Sequence, residues 1–189
     1  MLAGPNGAGK STFLETHLKH LNLPFLNADI LARETGLDAY TSAKNIASIR
    51  DELIERQDSF ITETVLSDPV GEKVQILANA SEKGFDVTLI YIGIESSDLS
   101  RRRVKTRVQA GGHDVPTEKL QARYERSLDN LERAIHQLPR VLIYDNSSFV
   151  NPHLFLAEFC QGNLFRQTEG AAMPKWAVSI LRKVIDQNK

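Results

Sequence analysis

Apolar positions in this chain switch repeatedly between two rhythms. Short, mostly apolar stretches read as strands buried in a sheet. Between them lie longer segments whose apolar residues recur every three or four positions, the period of an amphipathic helix. The strand-like stretches are Met1-Leu2-Ala3, Pro24-Phe25-Leu26-Asn27, Ser59 to Thr64, Phe85 to Ile94 and Val141-Leu142-Ile143-Tyr144. Helical spacing follows each of the first four. It is carried by Phe13, Leu14, Leu18 and Leu21, then by a polar segment running from Asp29 through Arg33. Ala43, Ile46, Ile49 and Leu53 continue it between about Thr41 and Gln57. Ser67-Asp68-Pro69 predicts the next helix start, with proline in the first turn, and Val70, Val74, Leu77 and Ala78 form its face before Gly84 stops it. Two further helices are expected over 97–110 and 117–138. The tail differs. Leu154–Cys160 and Leu164–Thr168 flank the turn residues Gln161-Gly162-Asn163, predicting a hairpin at a sheet edge. A last helix from about Pro174 carries Trp176, Ile180, Leu181, Val184 and Ile185.

Strands alternating with helices predict an α/β domain with a central, mostly parallel sheet and right-handed crossovers. Residues 1–189 are expected to form one such domain, with a helical lid at about 97–125 and the hairpin and packing helix at 154–187. Ligands of such sheets bind outside the carboxyl ends of the strands. Asp29, Glu63, Thr64 and Asp145 fall at those ends.

The first strand runs directly into Gly4-Pro5-Asn6-Gly7-Ala8-Gly9-Lys10-Ser11-Thr12, which matches the phosphate-binding loop pattern G-x-x-x-x-G-K-[ST] at every fixed position. Its glycines allow the backbone N–H groups to curl round a phosphate. Lys10 would set an ammonium beside the β- and γ-phosphates of ATP, and the Ser11 hydroxyl is a hard oxygen ligand suited to Mg²⁺. Removing Lys10 is expected to abolish activity and to strand no buried partner. A strand, this loop and a helix in that order predict the three-layer P-loop NTPase or kinase fold.

Other residues add chemistry to the loop. Asp29 is positioned to accept a proton from an incoming hydroxyl, although the same position before Ile30-Leu31-Ala32 fits a helix N-cap. Glu63 and Thr64 close a strand where a carboxylate needs a partner: a metal-bound water, a substrate hydroxyl or an arginine. Arg101-Arg102-Arg103-Val104-Lys105-Thr106-Arg107 lies on a predicted helix that ends at Gly111-Gly112, a lid-like elbow. Arg103 and Arg107 are four apart and share a face. Arg123 returns on the next helix. Arginines delivered by a lid stabilise the charge that develops in phosphoryl transfer. His113 is a candidate substrate contact. His17, His20, His136 and His153 lack ligand spacing.

Composition narrows the partners. The formal net charge of −1 favours neither nucleic acid nor anionic lipid, and no apolar run is long enough to span a membrane. A single cysteine, Cys160, excludes an internal disulfide and suits a reducing cytoplasm. No LSGGQ-like signature completes a composite ABC site, and no strand ends in the Asp-Glu pair of a hydrolytic Walker B segment.

The combination resembles a known family. Gly4–Thr12, Asn27-Ala28-Asp29, Ile61-Thr62-Glu63-Thr64, Arg103-Val104, Arg107-Val108, Gly111-Gly112-His113-Asp114-Val115-Pro116, Arg123-Tyr124-Glu125-Arg126-Ser127, Tyr144-Asp145-Asn146-Ser147 and Met173-Pro174-Lys175-Trp176 are similar to segments of zeta-toxin-like P-loop kinases, in a branch often labelled ABC-type ATPases. The resemblance implies phosphorylation of a UDP-sugar such as UDP-N-acetylglucosamine with ATP and Mg²⁺, and an antitoxin protein partner. It implies that Lys10 and Ser11 hold ATP and magnesium, that Asp29 is the general base, and that Glu63 and Thr64 place the sugar nucleotide, with lid arginines on the transferred group. Gly-Gly-His stands where a second lid arginine is expected, so His113 or Arg107 takes that part. The Gly-rich run expected after Glu63 is missing. A nucleoside or other metabolite kinase fits the same residues, and the rival class is a regulatory nucleotide switch or slow ATPase acting through a protein partner.

Overall fold

The computed structural model describes residues 1–111, 115–169 and 173–187. Its centre is a seven-stranded sheet in the order β2-β3-β1-β4-β5-β6-β7. The strands are β1 (Leu2–Ala3), β2 (Phe25–Leu26), β3 (Ile61–Thr64), β4 (Thr88–Gly93), β5 (Arg140–Asp145), β6 (Leu154–Cys160) and β7 (Asn163–Gln167). The first five pair in parallel, and β6 and β7 join antiparallel. This is the expected mostly parallel sheet with a hairpin edge. Gln161 and Gly162 both have positive φ, as a two-residue hairpin turn requires.

The helices are α1 (Lys10–Phe13), α2 (Ala28–Thr35), α3 (Ala39–Glu55), α4 (Glu72–Glu82), α5 (Ser97–Gln109), α6 (Thr117–Gln137) and α7 (Lys175–Gln187). Side chains alternate across the strands and so face two different cores. Ala3, Leu89, Tyr91, Val141 and Ile143 meet α4, α6 and α7 on one face. Leu2, Ile90 and Ile92 meet Phe13, Leu14 and Leu18 on the other. Burying each such large apolar side chain is worth about 1.5–3 kcal/mol. Among the described residues no helix is long and apolar enough to cross a membrane.

Three details depart from the sequence expectations, and a fourth decides between two readings left open. The helix after the loop does not keep a 3.6-residue period: α1 gives way to a π-turn at Leu14–Leu18 and a 3-10 turn at Lys19–Leu21. Ser67-Asp68-Pro69 does not begin α4. The chain turns first, and Gly71 (φ 81°) precedes the helix, whose first N–H groups include that of Glu72 donating to Asp68. The long helix starts earlier than expected, because Asp38 caps it by accepting from the backbone N–H groups of Tyr40 and Thr41. Asp29 is not a cap. Asn27 takes that part, accepting from Asp29 N at 2.8 Å and Ile30 N at 3.1 Å. Asp29 lies in the first turn of α2, exposed, beyond the two-residue strand β2.

Candidate active site

The loop 4–9 leaves the carboxyl end of β1, the middle one of the five parallel strands, between β3 and β4. Its first residue must be glycine: at φ 142° a Cβ would lie 2.1 Å from the Ile92 carbonyl oxygen. Lys10 folds back into the loop and is buried. Its Nζ donates to Gly4 O at 2.9 Å and Pro5 O at 3.3 Å and sits 3.8 Å from Glu63 Oε1. Burial holds the Lys10 ammonium below its ordinary pKa, Arg107 pushes the same way, and the carboxylates of Glu63 and Asp29 oppose them. Lys10, Glu63, Asp29 and Arg107 therefore share one electrostatic environment. The expectation that Lys10 could be lost without stranding a buried partner is corrected here, because Glu63 is that partner.

Glu63 has a second oxygen, Oε2, that is buried and has no hydrogen-bond partner among the described residues. A buried carboxylate oxygen without a donor is costly unless a ligand supplies one. Thr64 Oγ1 accepts from Leu66 N at 3.1 Å, which starts the turn after β3. Helix α6 pins that turn from outside. Asn130 Nδ2 donates to Leu66 O at 3.0 Å and Asp68 O at 2.8 Å, and Arg126 Nε to Ser67 O at 2.7 Å. Asp145, at the carboxyl end of β5, is committed elsewhere: it accepts from Trp176 Nε1 at 2.8 Å and from the Ser147 hydroxyl at 2.6 Å.

The two arginines expected to act together differ in depth. Arg103 is half-buried against the loop. Its Nη1 donates to Asn146 O at 2.7 Å and Gly7 O at 3.3 Å, its Nη2 to Ser147 O at 3.3 Å, and Phe149 stacks on it at 4.9 Å. Desolvation lowers its pKa and Asp145 opposes the shift. Arg107, one turn on, is exposed and feels Lys10. Arg123 is half-buried on α6. His113 lies outside the described residues, as do Gly112 and Asp114 of the elbow. Val104, Val115 and Leu120 form a small separate core that ties α5 to α6.

His153, set aside in the sequence for want of ligand spacing, lies beside the loop. Its ring packs at 5.1 Å from Phe13 and 5.6 Å from His17, next to Gly9. Burial lowers its pKa, and His17 and Arg103 push the same way, while the Gly9 backbone opposes them. Ser11 and Thr12 are exposed at the start of the helical segment. Among the described residues no cluster of three or more His, Cys, Asp or Glu could hold a metal. The fit to Mg²⁺ is of a different kind. This ion takes one or two protein oxygens and completes its shell with phosphate and water. The Ser11 hydroxyl and the unpartnered Glu63 Oε2 are oxygens of that sort.

Comparison with known proteins gives a consistent family. The model of the family described as zeta toxin matches residues 39–152, more than half of the chain. An uncharacterized protein of Haemophilus influenzae is 28% identical over 126 residues, covering 64% of this chain and 88% of that protein. Among solved structures, AvrRxo1-ORF1:AvrRxo1-ORF2 with sulphate ions aligns with a TM-score of 0.69 at 16% identity, over 97% of this chain and 62% of that one. The same pair is also described with ATP. The PezAT chromosomal toxin-antitoxin system of Streptococcus pneumoniae aligns with a TM-score of 0.53 at 16% identity, over 98% of this chain and 83% of that one. This chain thus spans less than two thirds of the AvrRxo1 chain it matches. At these identities the structural likeness establishes the shared fold.

Proposed function

Because the chain belongs to the zeta toxin family, we propose that it is an ATP-dependent phosphotransferase whose acceptor is a hydroxyl of a small molecule. A UDP-sugar such as UDP-N-acetylglucosamine is the acceptor that family membership favours. The observation that carries the reading is the convergence of a phosphate loop, the buried pair Lys10–Glu63 and the exposed Asp29 at one end of the parallel sheet. The AvrRxo1 pair is described with ATP, which supports ATP as the donor.

In this reading the β- and γ-phosphates replace Gly4 O and Pro5 O as the partners of Lys10. Asp29 accepts the proton of the acceptor hydroxyl as its oxygen attacks the γ-phosphorus. The bond from that phosphorus to the β–γ bridging oxygen breaks, and ADP leaves with the bridging electrons. Arg107, with Arg123 and His113 of the lid region, meets charge that develops on the transferred group. Ser11 and Glu63 would hold Mg²⁺, which neutralises charge on the β- and γ-oxygens when bound. Thr64 and Glu63 line the acceptor side. The neighbours are described as AvrRxo1-ORF1:AvrRxo1-ORF2 and as a toxin-antitoxin system, which supports a protein partner for this chain as well.

The test is incubation with ATP and Mg²⁺ against a pool of sugar nucleotides and nucleosides, read by mass spectrometry. The proposal requires one acceptor to gain a phosphoryl group, and its sugar-nucleotide form requires that acceptor to be a UDP-sugar. ATP loss without any phosphorylated acceptor would overturn it in favour of a regulatory ATPase.

A further inference from the structure

The carbonyl oxygens of the phosphate loop are all occupied, and the donors on its far side come from distant parts of the chain. Gly4 O and Pro5 O receive Lys10 Nζ. The next three are met from outside. Asn6 O accepts from the Ser100 hydroxyl at 2.6 Å, Gly7 O from Arg103 Nη1 at 3.3 Å, and Ala8 O from Asn146 Nδ2 at 2.8 Å. Ser100 is 1% exposed and its partner is 94 positions away; Asn146 reaches across 138. Two of these donors are also tied together, and Asn146 is held in turn by His153. Arg103 Nη1 holds Asn146 O, and Asn146 Oδ1 accepts from His153 N at 3.3 Å.

The geometry points to Ser100, Arg103 and Asn146 as positioning residues of the loop: Ser100 and Asn146 hold Asn6 O and Ala8 O outward and so turn the following N–H groups inward to phosphate, while Arg103 braces Gly7 O, whose partner N–H on Ala8 donates to Pro5 O within the loop. The physical reason is peptide planarity. In a trans peptide the C=O of one residue and the N–H of the next point opposite ways. Fixing Asn6 O outward aims the Gly7 N–H inward, and fixing Ala8 O does the same for Gly9. A loop already in that shape loses less conformational freedom on binding than one that must be ordered by the ligand. Close packing enforces the arrangement. A Cβ on Gly9 would lie 2.3 Å from Asn146 Nδ2, and one on Gly7 3.0 Å from Arg103 Cβ. Arg103 thereby acts from outside the loop, with both terminal nitrogens bonded to main chain, and the part first expected of it on the transferring group falls to Arg107.

The inference rests on reading Gly4–Thr12 as a site for nucleotide phosphates, and the experiment separates the two. Binding of inorganic tripolyphosphate and of ATP is measured by calorimetry on the full chain, so neither an acceptor nor turnover is needed. Ser100→Ala deletes one donor. Asn146→Asp keeps shape but sets an oxygen against Ala8 O. Each should weaken tripolyphosphate and ATP by a similar factor, about tenfold, because the lost order lies in the loop. Ser100→Thr, which keeps the hydroxyl, should restore binding. Tyr91→Phe is the control: it deletes a buried hydroxyl bonded to Ser127 at 2.8 Å, away from the loop, and should leave tripolyphosphate binding at the wild-type value. If Asn146→Asp does not fold, Ser100→Ala against Ser100→Thr decides. Wild-type affinity in Ser100→Ala would overturn the inference alone. A wild-type protein that bound neither probe would overturn the phosphate-site reading with it.

Discussion

Replacing Lys10 by methionine fills the same space without charge, and the structure sets the size of the effect. The change deletes two hydrogen bonds to loop carbonyls, at 2.9 and 3.3 Å. It also leaves the Glu63 carboxylate, 14% exposed, without the cation now 3.8 Å away. Deleting one partner of a buried pair costs about 3–5 kcal/mol, and a typical hydrogen bond contributes about 0.5–1.5 kcal/mol. Two features reduce the sum: the pair is not in hydrogen-bond contact, and the buried ammonium's own desolvation is relieved. The net loss expected is about 2–3 kcal/mol. For a chain of this length each kcal/mol moves Tm by about 2–4 °C, so Tm should fall by about 5–10 °C. Adding Glu63→Gln removes the stranded charge and should recover at least half of that loss. The assay is thermal and urea denaturation of the ligand-free protein as wild type, both single variants and the double variant. A Lys10→Met protein that melts with the wild type, or single effects that add within about 0.5 kcal/mol, would refute the coupling.

Other substitutions separate chemistry from structure. Asp29→Asn should preserve Tm and ATP affinity, since Asn27 does the capping, and should lower transfer by about 10²-fold or more as the base is lost; equal turnover would remove Asp29 from the mechanism. Arg107→Ala should lower kcat with little change in ATP Kd, whereas Arg101, paired with Asp98 on the surface, and exposed Arg102 should each tolerate alanine within about twofold. Equal effects at all three positions would return the segment to a solvated charged face. His153 should impose a pH dependence on stability. Its folded pKa is lowered, so the unfolded chain takes up the proton first, and stability present above about pH 6.5 should decline as the pH falls below it. His153→Phe should flatten that decline in denaturation curves taken between neutral and mildly acid pH.

Much of the fold was legible because its signals are local. The period switch marked each strand and helix, and the loop motif stands in consecutive residues. Where local signals competed, the reading stayed open or slipped. Asp29 fitted a proton acceptor or a helix cap, and the structure gives the cap to Asn27, whose side chain accepts from Asp29 N and Ile30 N. Arg103 and Arg107 share a helix face by spacing, yet the first meets the loop backbone and the second does not lie as deep, a difference set by tertiary packing. Ser100 and Asn146 carry no motif at all. Their role depends on contacts 94 and 138 positions distant, which periodicity does not report.

The most direct test of the account is the ratio of phosphorylated acceptor to ADP formed by the wild-type protein, with and without the sugar-nucleotide and nucleoside pool. The account predicts slow ADP release alone, marked acceleration by one acceptor, and one phosphorylated product per ADP, with both lost in Asp29→Asn. ADP released at the same rate whether or not acceptors are present, with inorganic phosphate as the sole co-product, would contradict it.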